Sequence, residues 1–233
     1  MRRGARRGNA ARFPVELAWT IDSCEVGEIV AQTFNAASVS VLVEGVPAHP
    51  MSAKGVLVNP VLVAHDLIAE FDHTQTPECT DGTDGFIWVT DVVANESRAR
   101  VDIVIRDHDL ARFEERKETV RQAAQVARER HPRAKVEVTV EDVYGNIADA
   151  VTADNRAGVD LLFTAMDNLG ITPRPTVMRG GTDGSWLSRQ GILTPNFFTG
   201  GMNFHSSAEF LPLGSFQASH DMVLELVRLV ALG

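Results

Sequence analysis

Between residues 37 and 142 the chain runs through four strand-like stretches and two helical ones in a fixed order. Ala37–Gly45 places Val39, Val41 and Val43 in alternation with Ser38, Ser40 and Leu42, the period of a half-buried strand. Ala53–Phe71 follows, with Leu62, Val63, Leu67 and Ile68 at helical spacing and Pro60 restricting or kinking its early turns. Two strands, GFIWVTDVVA and ARVDIVIRD, are joined by a tight turn at Asn95–Ser97. Asp109–Arg130 is an amphipathic helix with Asp109 as N-cap and Pro132 as stop. Ala134–Asp142 alternates again. The order is β-α-β-β-α-β, that of a ferredoxin-like domain.

The remainder reads differently. Val15–Asp22 predicts a short strand. Beyond the middle domain come a helix over about 155–169, a strand over 174–178, a short helix over 183–190, a strand over 194–198 and a last helix over 212–232. Alternating elements predict an α/β domain. Since the segment before residue 35 cannot form a domain alone, the simplest arrangement is an α/β domain interrupted by the ferredoxin-like one. The boundaries are 15–34 and 146–233 for the α/β part, 35–145 for the insertion, and 1–14 for a disordered basic leader. That leader lacks the apolar core of a secretory signal.

Charge narrows the function classes. With 22 basic against 31 acidic residues the net charge is −9, which argues against binding nucleic acid or an anionic membrane. No apolar run reaches the length of a membrane span. Two cysteines, Cys24 and Cys79, allow one disulfide but no disulfide framework, so a cytoplasmic setting is expected.

Four places are candidates for chemistry. Asp22 ends a strand, where α/β sheets collect ligand groups, although most such aspartates cap turns. His205 follows a strand and a glycine pair, with Asn203 and Glu209 nearby; a lone histidine is more often only hydrogen-bonded. The RGGTDG run at 179–184 fits neither glycine-rich phosphate-loop pattern. Arg179 has the planar fork suited to a carboxylate, and Gly180 and Gly181 let backbone N–H groups approach the same anion. The alternative there is a surface arginine before a structural turn. His49 and Arg106, in the middle domain, either reach over a cleft or are solvated. His65, His73, His108, His131 and His220 have no such context and read as surface or core histidines.

Taken together, AWTIDS-EVGE, FNAASV, HP-SAKGV-VN, IRDHD-FE-RK, VEDVYGN, RGGTDG--LS-QG and P-NFFTGG-NFH---EF resemble peptidase T, a tripeptide aminopeptidase among the dizinc aminoacylase/carboxypeptidase-like metallopeptidases. The resemblance runs from about Trp19 to the C-terminus. It implies a three-layer α/β catalytic domain, present in part, with an inserted ferredoxin-like lid. It implies zinc, two ions per complete site, with Asp22 a ligand to one and His205 a ligand to the other. It implies that His49 is the lid histidine that stabilises the oxyanion, and that Arg106, Arg179 and Asn203 grip the substrate's terminal carboxylate. The expected substrate is a small peptide.

The same resemblance implies a gap. The first H-x-D ligand pair, the bridging aspartate and the E-E pair with the catalytic base are absent. His65–Leu67 and Asp107–Asp109 look superficially similar but fall within the lid-like domain, and Glu114 and Glu115 lie on a solvated helix. The expectation is therefore a C-terminal part, inactive alone, that depends on a missing N-terminal half or a second copy. Ser23 and Cys24 replace the family's glycines after the aspartate, and Ser206–Ala208 replace a small-basic-histidine run. The alternative from another class is a non-catalytic binding or dimerisation module built on the ferredoxin-like domain.

Overall fold

The structure, a computed structural model, describes residues 15–232. The expected leader over 1–14 lies outside the described residues. The fold is α/β and the chain forms two compact units: Asn35–Val143, and the described parts of 1–34 with 144–233.

The Asn35–Val143 unit contains β3 (Asn35–Glu44), α1 (Pro60–Ile68), β4 (Phe86–Ala94), β5 (Arg98–Asp107), α2 (Leu110–Arg130) and β6 (Lys135–Tyr144), which runs one residue past its end. The sheet order is β4-β5-β3-β6, with β5 antiparallel to both β3 and β4, as in ferredoxin-like domains. Period-two patterning decides which face is covered: Ala37, Val39, Val41 and Val43 on β3 and Ala99, Val101, Ile103 and Ile105 on β5 are all buried. They meet Val63, Ala64 and Leu67 of α1 and Phe113, Val120, Ala124 and Ala127 of α2 in one core. The helical spacing of these last residues puts them on one stripe. Pro60 does not kink α1. It is the first residue of the helix, where its missing N–H costs nothing, and the Asn59 side chain caps the helix by accepting from the Val61 N–H. Asp109 caps α2 by accepting from the Arg112 N–H.

The second unit contains β1 (Thr20–Ser23), β2 (Glu28–Thr33), α3 (Ala157–Asn168), β7 (Arg174–Met178), α4 (Asp183–Arg189), β8 (Asn196–Phe198) and α5 (Leu213–Leu232). The strand expected over 15–22 is confined to Thr20–Ser23, and a separate strand follows the turn at Gly27, whose φ of 92° suits glycine. The strand expected over 194–198 starts only after Pro195, whose ring removes a ladder donor. The sheet order is β1-β8-β2-β7. Ile29, Leu162, Ala165, Met166, Phe197, Phe198, Met222 and Leu226 form the core beneath α3 and α5. Among the described residues no helix is long and apolar enough to cross a membrane.

Candidate functional site

Strand direction decides which candidates meet in the second unit. β1 runs parallel to β8, β2 antiparallel to β8, and β7 parallel to β2. The carboxyl ends of β1 and β8 therefore share one end of the sheet, and those of β2 and β7 the other. Asp22 and the loop carrying His205 leave from the first end. The junction is sewn by three bonds: the Thr199 N–H and hydroxyl both donate to Ser23 O at 2.8 Å, and the Gly200 N–H donates to Cys24 O at 2.8 Å. Gly200 has φ 81°, and a Cβ there would lie 2.3 Å from the Ser215 Cβ, so no other residue fits.

Asp22 is exposed, and it is the extra residue of a β-bulge, because Ile21 pairs with Phe197 and Ser23 with Phe198. Bulges re-aim side chains beside sites. The turn beyond it is held by Glu28, whose carboxylate accepts from the Cys24 N–H at 2.8 Å and the Glu25 N–H at 3.1 Å. Burial, then the negative charges of Glu28, Glu25 and Asp22, raises the Cys24 thiol pKa, which keeps it protonated at neutral pH. Cys24 and Cys79 are both exposed free thiols. No disulfide joins the pair.

His205 sits at the exposed tip of a loop closed by the mutual backbone bonds of Met202 and Phe210. Asn203 and His205 have φ of 57° and 64°, a conformation asparagine and histidine tolerate better than most residues. The loop offsets that strain internally. The His205 N–H donates to Glu209 Oε2 at 2.9 Å, the Ser206 hydroxyl to Asn203 O at 2.8 Å, and the Asn203 amide to Ala208 O at 3.2 Å. The Asn203 side chain thus has a structural duty in shaping the loop that presents His205.

Arg179 follows β7 at the opposite end of the sheet. β2 alone, with six residues, spans about 20 Å, whereas an extended tripeptide spans at most about 11 Å. The Arg179 guanidinium stacks over the Phe34 ring, 5.2 Å from its centre. The glycines beside it serve packing: Gly180 O accepts from the Phe34 N–H, and a Cβ on Gly181 would lie 2.3 Å from the Tyr144 ring. Thr182 caps α4 through a capping box with Ser185. Behind it, Asn146 Oδ1 accepts from the Thr33 N–H, and the Thr33 hydroxyl accepts from the Ile147 N–H and the Ser185 hydroxyl.

In the Asn35–Val143 unit, His49 is exposed and its Nδ1 accepts from the Met51 N–H at 3.2 Å. In the neutral ring this bond puts the proton on Nε2, leaving that N–H as the outward donor. Arg106 is half-buried, and its Nη1 donates to Ile105 O at 3.0 Å and to Ala37 O at 3.4 Å. Of the histidines without a role, His108 is buried, while His65 and His131 both contact Asp66, at 3.3 Å and 2.8 Å.

A zinc ion needs three or four protein ligands. Among the described residues no three His, Cys, Asp or Glu side chains stand together so as to hold a metal ion, so Asp22 and His205 by themselves do not form such a centre. Glu28, Thr199 and Glu209, which fix the turns at this end of the sheet, went unassigned in the sequence. The signal available was the acid at 28 immediately before the apolar run Ile29–Ala31.

Residues 31–135 match the family model of the M20 peptidase dimerisation domain. A peptidase T-like protein of Rhizobium meliloti is 50% identical over 229 residues, covering 98% of this chain and 56% of the relative. Peptidase T of Fusobacterium nucleatum is 37% identical over 229 residues, covering 98% of this chain and 55% of the relative. The chain spans little more than half the length of these relatives. A tripeptidase structure from Staphylococcus aureus aligns with a TM-score of 0.80 at 23% identity, covering 99% of this chain and 61% of that one, which shows a shared fold. Over nearly its whole length the chain is thus similar to peptidase T, and residues 31–135 match the M20 peptidase dimerisation domain.

Proposed function

We propose that this chain supplies one side of a metal-dependent aminopeptidase site that releases the N-terminal residue of tripeptides. The observation that carries the reading is the joining of the β1 and β8 exits, which brings Asp22 and the His205 loop to one end of the sheet. In this reading each of the two residues gives one ligand to a two-zinc centre whose remaining ligands come from elsewhere. The Nε2–H of His49 donates to the oxyanion that forms at the scissile carbonyl. Arg106 and Asn203 hold the terminal carboxylate. Arg179, at the opposite end of the sheet, is beyond the reach of a tripeptide bound at Asp22 and His205, so Arg179→Met should leave the KM for tripeptides unchanged.

The reading requires the chain alone to be inactive, because two ligands bind a metal weakly and no general base is assigned. The test is tripeptide hydrolysis with added zinc. The purified chain should show none. The chain joined to the part of the Rhizobium meliloti relative that it does not match should hydrolyse the peptide, and Asp22→Ala or His205→Ala should abolish this. A folded chimera without activity, or activity indifferent to His205, would sink the proposal. The match of residues 31–135 to a dimerisation domain supports a second element, that two copies associate through the Asn35–Val143 unit. Light scattering should give twice the chain mass.

A further inference from the structure

The far end of β5 holds a buried carboxylate that the proposed chemistry does not use. Asp107 has no exposed surface. It accepts from Arg116 Nε at 2.8 Å and from the Asp109 N–H at 3.0 Å, with Arg112 Nε at 3.7 Å. Gly85 presses on it from the β4 side: a Cβ there would lie 2.1 Å from Asp107 Oδ2 and 2.5 Å from Arg106 O. Arg116 Nη1 also bonds Gln75 Oε1 at 2.5 Å. One carboxylate therefore ties the end of β5 to the first turns of α2, with Gly85, just before β4, packed against it. A buried ion pair of this kind is weak evidence for stability, since apolar replacements often do as well, so a positional role is the better account.

The end of the strand supplies that role. Arg106 pairs with Ala36 on β3 and Phe86 on β4. Side chains alternate along β5, so Asp107 faces the helices and Arg106 the open face of the sheet. The ladder and the buried Ala99, Val101, Ile103 and Ile105 set that alternation, and the Asp107 pair anchors the last residues of β5 against α2. We infer that Asp107, held by Arg116, is the positioning residue that pins the end of β5, and with it the place from which the Arg106 guanidinium meets the substrate carboxylate. This rests on the proposed grip by Arg106.

The test compares binding of trialanine and trialanine amide to the purified chain by calorimetry. Wild type should prefer the acid, and Arg106→Met should lose the preference. Asp107→Asn and Arg116→Lys should each reduce it about ten- to hundred-fold, as small displacements at a site do, while circular dichroism stays native. A wild-type chain without the preference, or Arg106→Met retaining it, overturns the grip and this inference with it. Loss in Arg106→Met with full preference in both Asp107→Asn and Arg116→Lys overturns the positioning role alone. If both variants unfold, the pair is a structural clamp and the positioning role falls.

Discussion

In the Asn35–Val143 unit, β3 and β5 pair along ten residues each, from Asn35 opposite Asp107 to Glu44 opposite Arg98, and every element comes from one continuous stretch. In the other unit β1 and β8 contribute four and three residues, drawn from opposite ends of the chain. Its α5 buries Ser219, Met222 and Leu226 on one face while Leu213, Phe216, Leu224 and Val227 remain exposed. The first unit is held by a long regular ladder over a continuous apolar core. The second leans on specific side-chain bonds, such as those of Thr199, Asn146 and Glu28, to join segments that have no local reason to meet. The candidate ligands Asp22 and His205 both lie in the second unit. Sites assembled from loops on such a frame gain precision from those bonds rather than from the ladder.

The contrast can be broken from its strongest side. Leu67→Ala empties part of the first unit's core and should cost about 2–5 kcal/mol, read by chemical denaturation. A loss below about 1 kcal/mol would mean that α1 collapses onto the gap and that the core is less tightly packed than described. Asn146→Ala strikes the second unit's side-chain joinery. It leaves the buried Thr33 N–H without its acceptor and should cost about 1–3 kcal/mol, with amide exchange quickening at Thr33 and Ile147 rather than along β3. Equal quickening in β3 would show that the two units do not respond separately. Asn59→Ala removes the α1 cap and should cost about 1 kcal/mol.

The smallest effect concerns pH. Arg228, and then Asn168, bond the Glu225 carboxylate and lower its pKa from 4.5 to about 2. A depressed carboxylate pKa adds stability that is present above the unfolded value and is lost as pH falls through the folded one. The link between α3 and α5 should therefore weaken between pH 4.5 and about 2. In thermal unfolding, the gap between wild type and Glu225→Gln should close across that window. A gap that stays constant would mean that the carboxylate is equally ionised in the folded and unfolded chain.

Several elements were legible because their causes are local. β3, β5 and β6 show period-two burial within ten residues each, and Asp109 and Arg130 bracket α2 by capping and composition. The start of α1 was less clear, since Pro60 reads as a kink until Asn59 is seen capping the turn before it. β2 carries no alternation, because Ile29 and Val30 are both buried in succession. RGGTDG reads in sequence as an anion loop, yet the space that Gly181 leaves is filled by Tyr144, a residue 37 positions away.

The sequence by itself determined the β-α-β-β-α-β unit and the residue types available for chemistry, because periodicity and capping act over a few residues. Only the tertiary structure decided where those residues stand. The parallel pairing of Thr20–Ser23 with Asn196–Phe198 sets Asp22 and the His205 loop at one end of a sheet and Arg179 at the other. Strand direction in a sheet is fixed by hydrogen bonds between segments far apart in the chain, and no local pattern encodes it.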